Sequence, residues 1–185
     1  GAFYFGIPVT KYHFPIASII TVFFLFYCSR RYFGTMWKKI FAAQLVILTI
    51  LFLISVSLAS FFYDTAFDSQ AYHQDSIIYL YNGWNPYNSL PEGVSRDFIK
   101  SHSYTAAKAS EICASSFYKI FGRIQQGKLF NFLLIFSSFF IALAVFLSFR
   151  KIPVKWAFLL SLLLALNPVS VYQSASYYVD GMLSS

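Results

Sequence analysis

The chain has 185 residues, of which 58% are hydrophobic, 22% aromatic and only 11% charged. Soluble domains carry about 25% charged residues, and a domain of this size has too little interior to bury 23 Phe and 14 Tyr. The composition therefore excludes an ordinary soluble domain and indicates a lipid environment. The net charge of +7 does not indicate a nucleic-acid partner, because the basic residues flank long apolar runs and form no aromatic-interleaved polar face.

Four apolar stretches predict transmembrane helices, at residues 14–29, 40–62, 129–149 and 156–171. The first is short for the ~20 residues that cross a bilayer, and it borrows flanking aromatic residues at the membrane interface. The second and third contain no charged residue and exceed the ~18-residue threshold for a span. The fourth is interrupted by Asn167 and Pro168, where the missing proline N–H predicts a kink or a helix end.

The distribution of charge predicts the orientation of these spans. The short segments 30–39 and 150–155 hold only basic charges, whereas the long segment 63–128 balances six basic residues with six acids. Because short segments rich in Lys and Arg stay in the cytoplasm, we expect residues 63–128 and the tail after residue 171 to be extracytoplasmic. Residues 1–62 would then hold two spans, and residues 129–185 two more with an outer turn. Since the chain opens without Met and ends without a basic tail, we expect an N-terminal fragment of a larger transmembrane domain.

The outer loop is predicted to carry two amphipathic juxtamembrane helices, which completes an all-α fold. On a helix over residues 67–82, one stripe contains Asp68, Tyr72, Asp75 and Tyr79. Gly83 would end this helix, and Asn85-Pro86 would form a turn. A second helix over residues 104–121 would lie along the membrane surface. Its apolar face would consist of Ala109, Ile112, Cys113, Phe117, Ile120 and Phe121, and its polar face of Lys108, Glu111 and Lys119.

Three acids at one predicted membrane interface are the first candidates for chemistry. Asp64 follows the second span directly, Asp68 comes one helical turn later, and Asp180 follows the fourth span. Carboxylates in such a group serve as a general base, as ligands to a hard cation or as anchors for sugar hydroxyls. The alternative interpretation is that acids at the edge of the water are simply solvated.

Further polar and aromatic residues of the loop are candidates for binding a substrate. His73 lies beside the acidic stripe, where it would bind a ligand or shuttle protons, or be an ordinary surface group. Trp84 would stack on a sugar or belong to the aromatic belt of the membrane interface. Lys108 and Lys128 are among the outer cations that would hold a lipid phosphate, contact lipid headgroups or remain solvated.

The loop resembles that of a known enzyme class. Asp68-Ser-Gln-Ala-Tyr72, a helix and then Gly83-Trp84-Asn85-Pro86-Tyr87 follow an early span. This is similar to the first outer loop of the GT-C class of integral-membrane glycosyltransferases, which includes the aminoarabinose transferases and protein O-mannosyltransferases. The later segments 103–131 and 167–181 resemble the second juxtamembrane helix and a later outer turn of that class. In this sequence Ser follows Asp68, where several relatives have a second acid.

The resemblance implies transfer of a sugar, with inversion, from a polyprenyl-phosphate donor to a glycan, lipid or protein acceptor on the outer face of a bacterial inner membrane. It implies that Asp68 is the general base, Asp64 a second carboxylate or metal ligand, and Asp180 a supporting acid. Tyr72, His73, Trp84, Lys108 and Lys128 would contact the substrates. The class contains enzymes with and without a divalent metal, so the sequence leaves the metal open. The rival interpretations are a transporter or lipid flippase, and a non-catalytic membrane subunit.

Overall fold

A computed structural model describes residues 6–64, 69–86, 109–149 and 151–177. Within these ranges the chain is helical and contains no strand. Seven α-helices follow in chain order: α1 His13–Tyr32, α2 Trp37–Phe61, α3 Asp75–Tyr81, α4 Ala109–Phe121, α5 Leu129–Ser148, α6 Val154–Ala165 and α7 Pro168–Ser174. A π-helical segment, Ser69–Gln74, leads into α3, and a 3₁₀ turn, Ile124–Lys128, leads into α5.

Three of the described helices are long and apolar enough to cross a membrane: His13–Tyr32, Gly34–Phe61 and Ile124–Ser148. Helices α6 and α7 meet at an angle of 55° and together form either a fourth, broken span or a re-entrant loop. Large apolar side chains on α1 and α2 are exposed, as expected for helices surrounded by lipid. These features confirm that the described part of the chain is all-helical, and they indicate a membrane protein.

The break in the fourth apolar stretch lies where the sequence predicts it. Helix α6 ends at Ala165, and α7 begins at Pro168, whose missing N–H is tolerated in a first helical turn. The Asn167 side chain accepts a hydrogen bond of 2.9 Å from the Ser170 N–H and so caps α7. The proline therefore ends one helix and starts the next.

The end of α3 is also as predicted. Gly83 has a φ of +94°, which lies in the left-handed region that favours glycine. The Trp84 N–H donates to the Tyr79 carbonyl at 2.9 Å, and the Gly83 N–H donates to the Leu80 carbonyl at 3.2 Å. This pair of bonds is a Schellman motif, and the Tyr79 and Trp84 rings provide the apolar contact that accompanies it.

The ends of several helices meet in a small core. Phe117 of α4 is buried with Ala59 of α2 and Leu129 of α5. Phe14 at the start of α1 packs on Phe117, with ring centroids 4.5 Å apart. The start of α1, the end of α2 and the start of α5 therefore lie together around α4.

Both loop helices bury residues, and in α4 one of them is a residue that the sequence places on a polar face. Ile77 and Leu80, which lie off the predicted stripe, are buried in core clusters with residues outside α3. Glu111, which the sequence places on a polar face, is only 2% exposed. It is buried because α4 packs against α3 and the 3₁₀ turn on this side. That α4 lies along a membrane surface stays a prediction.

Candidate functional site

Asp64 lies at the end of α2 and is anchored to the other end of the chain. The residue is 6% exposed, and its Oδ2 accepts a hydrogen bond of 2.9 Å from the Tyr177 N–H. The Tyr177 hydroxyl donates in turn to the carbonyl of Ile124, at 2.8 Å. Tyr177, which follows α7, is thereby bonded both to the end of α2 and to the 3₁₀ turn before α5.

Lys128 is buried beside this carboxylate. It is 1% exposed, its Nζ donates to the Phe62 carbonyl, and the same Nζ lies 5.7 Å from the centroid of the Tyr177 ring. The charges of Asp64 and Lys128 act on each other. Because an isolated buried charge is costly, each of these two groups lowers the cost of burying the other.

The Tyr177 phenol is kept neutral in this environment. Burial, then the negative charge of Asp64 and the nearby Tyr118, raise the pKa of Tyr177 above its ordinary value. The hydroxyl is therefore a permanent hydrogen-bond donor to Ile124.

A second polar cluster links α4 to the π-helical segment. His73 Nδ1 lies 3.0 Å from Oε1 of Glu111, and the Ser110 hydroxyl donates to Oε2 of Glu111 at 2.7 Å. Glu111, Ser110, Asn131 and Tyr177 line one cleft together with apolar side chains. As it stands, this cleft has room for about one water molecule, not for a sugar.

The residues singled out from the sequence fall into four groups. Asp64, His73 and Lys128 lie in the two buried clusters. Trp84 is 8% exposed and packs on Val9 and Leu80, so its described contacts are those of a core residue. Tyr72 belongs to the π-helical segment, but its side chain is not described. Asp68, Lys108 and Asp180 lie outside the described residues.

The sequence did not single out Glu111 or Tyr177 as members of these clusters. For Glu111 a signal was present, because it is surrounded by small residues, Ala109, Ser110, Ala114 and Ser115, which are typical of close helix contacts. For Tyr177 no local pattern indicates a contact with Asp64, which lies 113 residues away.

The described residues do not fit a divalent metal at Asp64. Its carboxylate accepts the Tyr177 N–H and lies within electrostatic reach of the Lys128 ammonium, which would repel a second cation. Across the described ranges, no three His, Cys, Asp or Glu side chains are grouped as metal ligands.

Comparison with known proteins gives no match. No family model, no curated protein and no solved structure is similar to this chain.

Proposed function

We propose that this protein is a membrane glycosyltransferase that moves a sugar from a polyprenyl-phosphate donor to a glycan, lipid or protein acceptor on the extracytoplasmic face. The proposal builds on the resemblance of residues 68–87 to the first outer loop of the GT-C class. The observation that carries it is that both flanks of Asp68 are anchored where the helix ends meet. On one side the Tyr177 N–H holds Asp64, and on the other Glu111 contacts His73 of the π-helical segment.

In the proposed reaction, Asp68 takes the proton from an acceptor hydroxyl as its oxygen attacks the anomeric carbon. The bond from that carbon to the phosphate oxygen breaks on the opposite face, and polyprenyl phosphate leaves with the electron pair. A cation beside the phosphate would stabilise this charge. Lys108 is the proposed cation, because Lys128 is buried and already donates to the Phe62 carbonyl.

Asp64 is already engaged in structural contacts, because it accepts the Tyr177 N–H at the end of α2 and compensates the charge of Lys128. We therefore assign Asp64 a supporting role and propose Asp68 as the base. Asp180, three residues after Tyr177, is proposed as a supporting acid, and Tyr72 as a contact to the sugar. The donor is a membrane lipid, which agrees with apolar helices whose ends surround the cluster.

The proposed location is a bacterial inner membrane, crossed several times, with residues 63–128 on the extracytoplasmic side. In support of this topology, the end of α2, the start of α5 and the residues after α7 meet at Asp64, Lys128 and Tyr177. All of these are predicted to lie on the outer side.

The experiment is a transfer assay with the protein in nanodiscs, synthetic polyprenyl-phosphate hexoses as donors and an extract of envelope glycans as acceptors. Release of polyprenyl phosphate is measured. Asp68→Asn is expected to reduce the rate at least about 100-fold, the lower range for loss of a general base. Asp75→Asn is the matched control, since Asp75 is a half-buried acid on the following helix, and it should stay within about threefold. Retained transfer in Asp68→Asn would overturn the assignment.

A further inference from the structure

The contact between Glu111 and His73 joins two elements that are far apart in the chain. Glu111 lies in the first turn of α4, and His73 is the fifth residue of the π-helical segment Ser69–Gln74. The segment begins at Ser69, the residue directly after Asp68. A contact that fixes this segment therefore also restrains the backbone next to Asp68, the proposed base.

We propose that Glu111 is a positioning residue, which fixes the π-helical segment through His73 and thereby sets the place of Asp68 relative to the substrates. The catalytic consequence of this inference rests on the proposed function. The structural part, that Glu111 holds the segment, does not.

The geometry orients both partners of the contact. The Nδ1–H of His73 donates to Oε1 of Glu111 at 3.0 Å, while the Ser110 hydroxyl donates to Oε2 at 2.7 Å. With a donor on each oxygen, the carboxylate plane cannot rotate freely, and the imidazole ring is fixed by it.

The π-helical segment needs such support from outside itself. A π-helix is rare, occurs mostly as a single turn within α-helices and is frequent at functional sites. The α3 helix that follows it is held by α4 at two further places. Ile77 packs with Ala114, and the Tyr81 and Tyr118 rings stack with centroids 4.2 Å apart. Two described bonds reach the π-helical segment itself: the contact of His73 with Glu111 of α4, and the hydrogen bond that the Gln70 side-chain amide donates to the Asp64 carbonyl at 2.5 Å.

The burial of the two groups makes the contact strong. Glu111 is 2% exposed and the His73 side chain 18%. If His73 moved away, the buried Glu111 carboxylate would lose a hydrogen-bond donor without regaining water. The bonded pair is therefore lower in free energy than the separated side chains. An apolar side chain in place of Glu111 would pack in α4 but would leave His73 without this acceptor.

The test compares four variants by hydrogen exchange in nanodiscs: Glu111→Ala, His73→Ala, His73→Asn and His73→Gln. The amide of Asn lies near the position of Nδ1 and can still donate to Glu111, whereas the longer Gln places its amide near the position of Nε2. Backbone amides of residues 69–81 should exchange at least about tenfold faster in Glu111→Ala, His73→Ala and His73→Gln, as expected for loss of a hydrogen bond to a charged group. In His73→Asn they should stay within about threefold of the parent, and peptides from α5 should not change in any variant.

The transfer assay then tests the catalytic consequence. The three disrupting variants should lower kcat about tenfold or more with little change in the donor KM, and His73→Asn should restore kcat. If His73→Asn loses as much activity as His73→Ala while its exchange stays normal, His73 itself transfers protons and the positioning role is wrong. If Glu111→Ala leaves the exchange of residues 69–81 unchanged, the inference fails. Because exchange is measured without any sugar, failure of the glycosyltransferase proposal would show only as absent transfer in the parent protein.

Discussion

Gly127 in the 3₁₀ turn lies against α4 with no room for a side-chain carbon. A Cβ at this position would be 2.9 Å from the Ala114 Cβ, 3.3 Å from the Ala114 Cα and 3.3 Å from a ring carbon of Tyr177. Carbon atoms pack favourably at about 3.5–4.0 Å, so Gly127→Ala forces the turn and α4 apart. The substitution therefore tests whether these two elements pack as closely as the structure shows.

The expected loss of stability is the difference between two effects. Overpacking of a well-packed contact costs about 1–3 kcal/mol. Replacing Gly by Ala where the backbone allows it stabilises by about 0.4–1 kcal/mol, through the unfolded state. The net effect is a loss of about 1–2 kcal/mol, which lowers the Tm by about 2–8 °C for a chain of this size.

The assay is thermal unfolding in detergent, followed by circular dichroism at 222 nm, with a double-mutant cycle as control. Ala114→Gly alone should destabilise by about 1 kcal/mol, because glycine is a poor helix former. Together with Gly127→Ala it removes the 2.9 Å contact, so the double variant should be more stable than the sum of the single effects predicts, by at least about 1 kcal/mol. Strictly additive effects, or a Gly127→Ala protein as stable as the parent, would refute the reasoning.

Three further predictions follow from buried groups. Burial raises the pKa of the Cys113 thiol, so its reaction with a maleimide at pH 7 should be slower than that of glutathione and should accelerate as the pH rises above 9; an equal rate would contradict its burial. Asp64→Ala removes the acceptor of the Tyr177 N–H and the carboxylate near Lys128, and should cost about 1.5–3 kcal/mol in thermal unfolding, whereas Asp64→Asn, which keeps an acceptor oxygen, should cost less. Burial raises the pKa of Asp75 above its ordinary value of 3.8, so the folded state binds the proton of the Asp75 carboxyl more tightly than the unfolded state does. Protonation of Asp75 therefore stabilises the fold at low pH, and this stabilisation is lost as the pH rises from 3.8 through the raised pKa. The stability of the parent relative to Asp75→Asn should fall over that pH range, and a constant difference would contradict the shift.

Much of the helical framework follows from local sequence. The charge-free run in residues 40–62 predicts α2, found at Trp37–Phe61. The turn at Gly83 and the break at Asn167-Pro168 follow from the backbone conformations that glycine and proline favour or forbid. Each of these features depends on a few neighbouring residues, so a single sequence is enough to predict it.

The buried polar clusters depend on contacts between distant residues, and here local patterns are insufficient. On the helix predicted over residues 104–121, the helical periodicity places Glu111 on one face with Lys108 and Lys119, and that face is expected to be solvated. The packing of α4 against α3 and the 3₁₀ turn buries Glu111, and the donors of His73 and Ser110 offset the loss of its hydration. Similarly, the sequence shows that Asp64 follows an apolar span, but not that the Tyr177 N–H is its donor.

The hydrogen bond from Tyr177 to Asp64 also has a consequence for the order of assembly during synthesis. Its two partners are 113 residues apart, and at about 5–20 residues per second the ribosome needs roughly 6–23 seconds to make the intervening chain. Helix α2 is therefore inserted well before the donor for its terminal carboxylate exists. Tyr177→Pro, which removes the N–H donor, should leave the insertion of α1 and α2 intact and lower the fraction of chains that complete the cluster. Closure of this bond is therefore a late step in biogenesis.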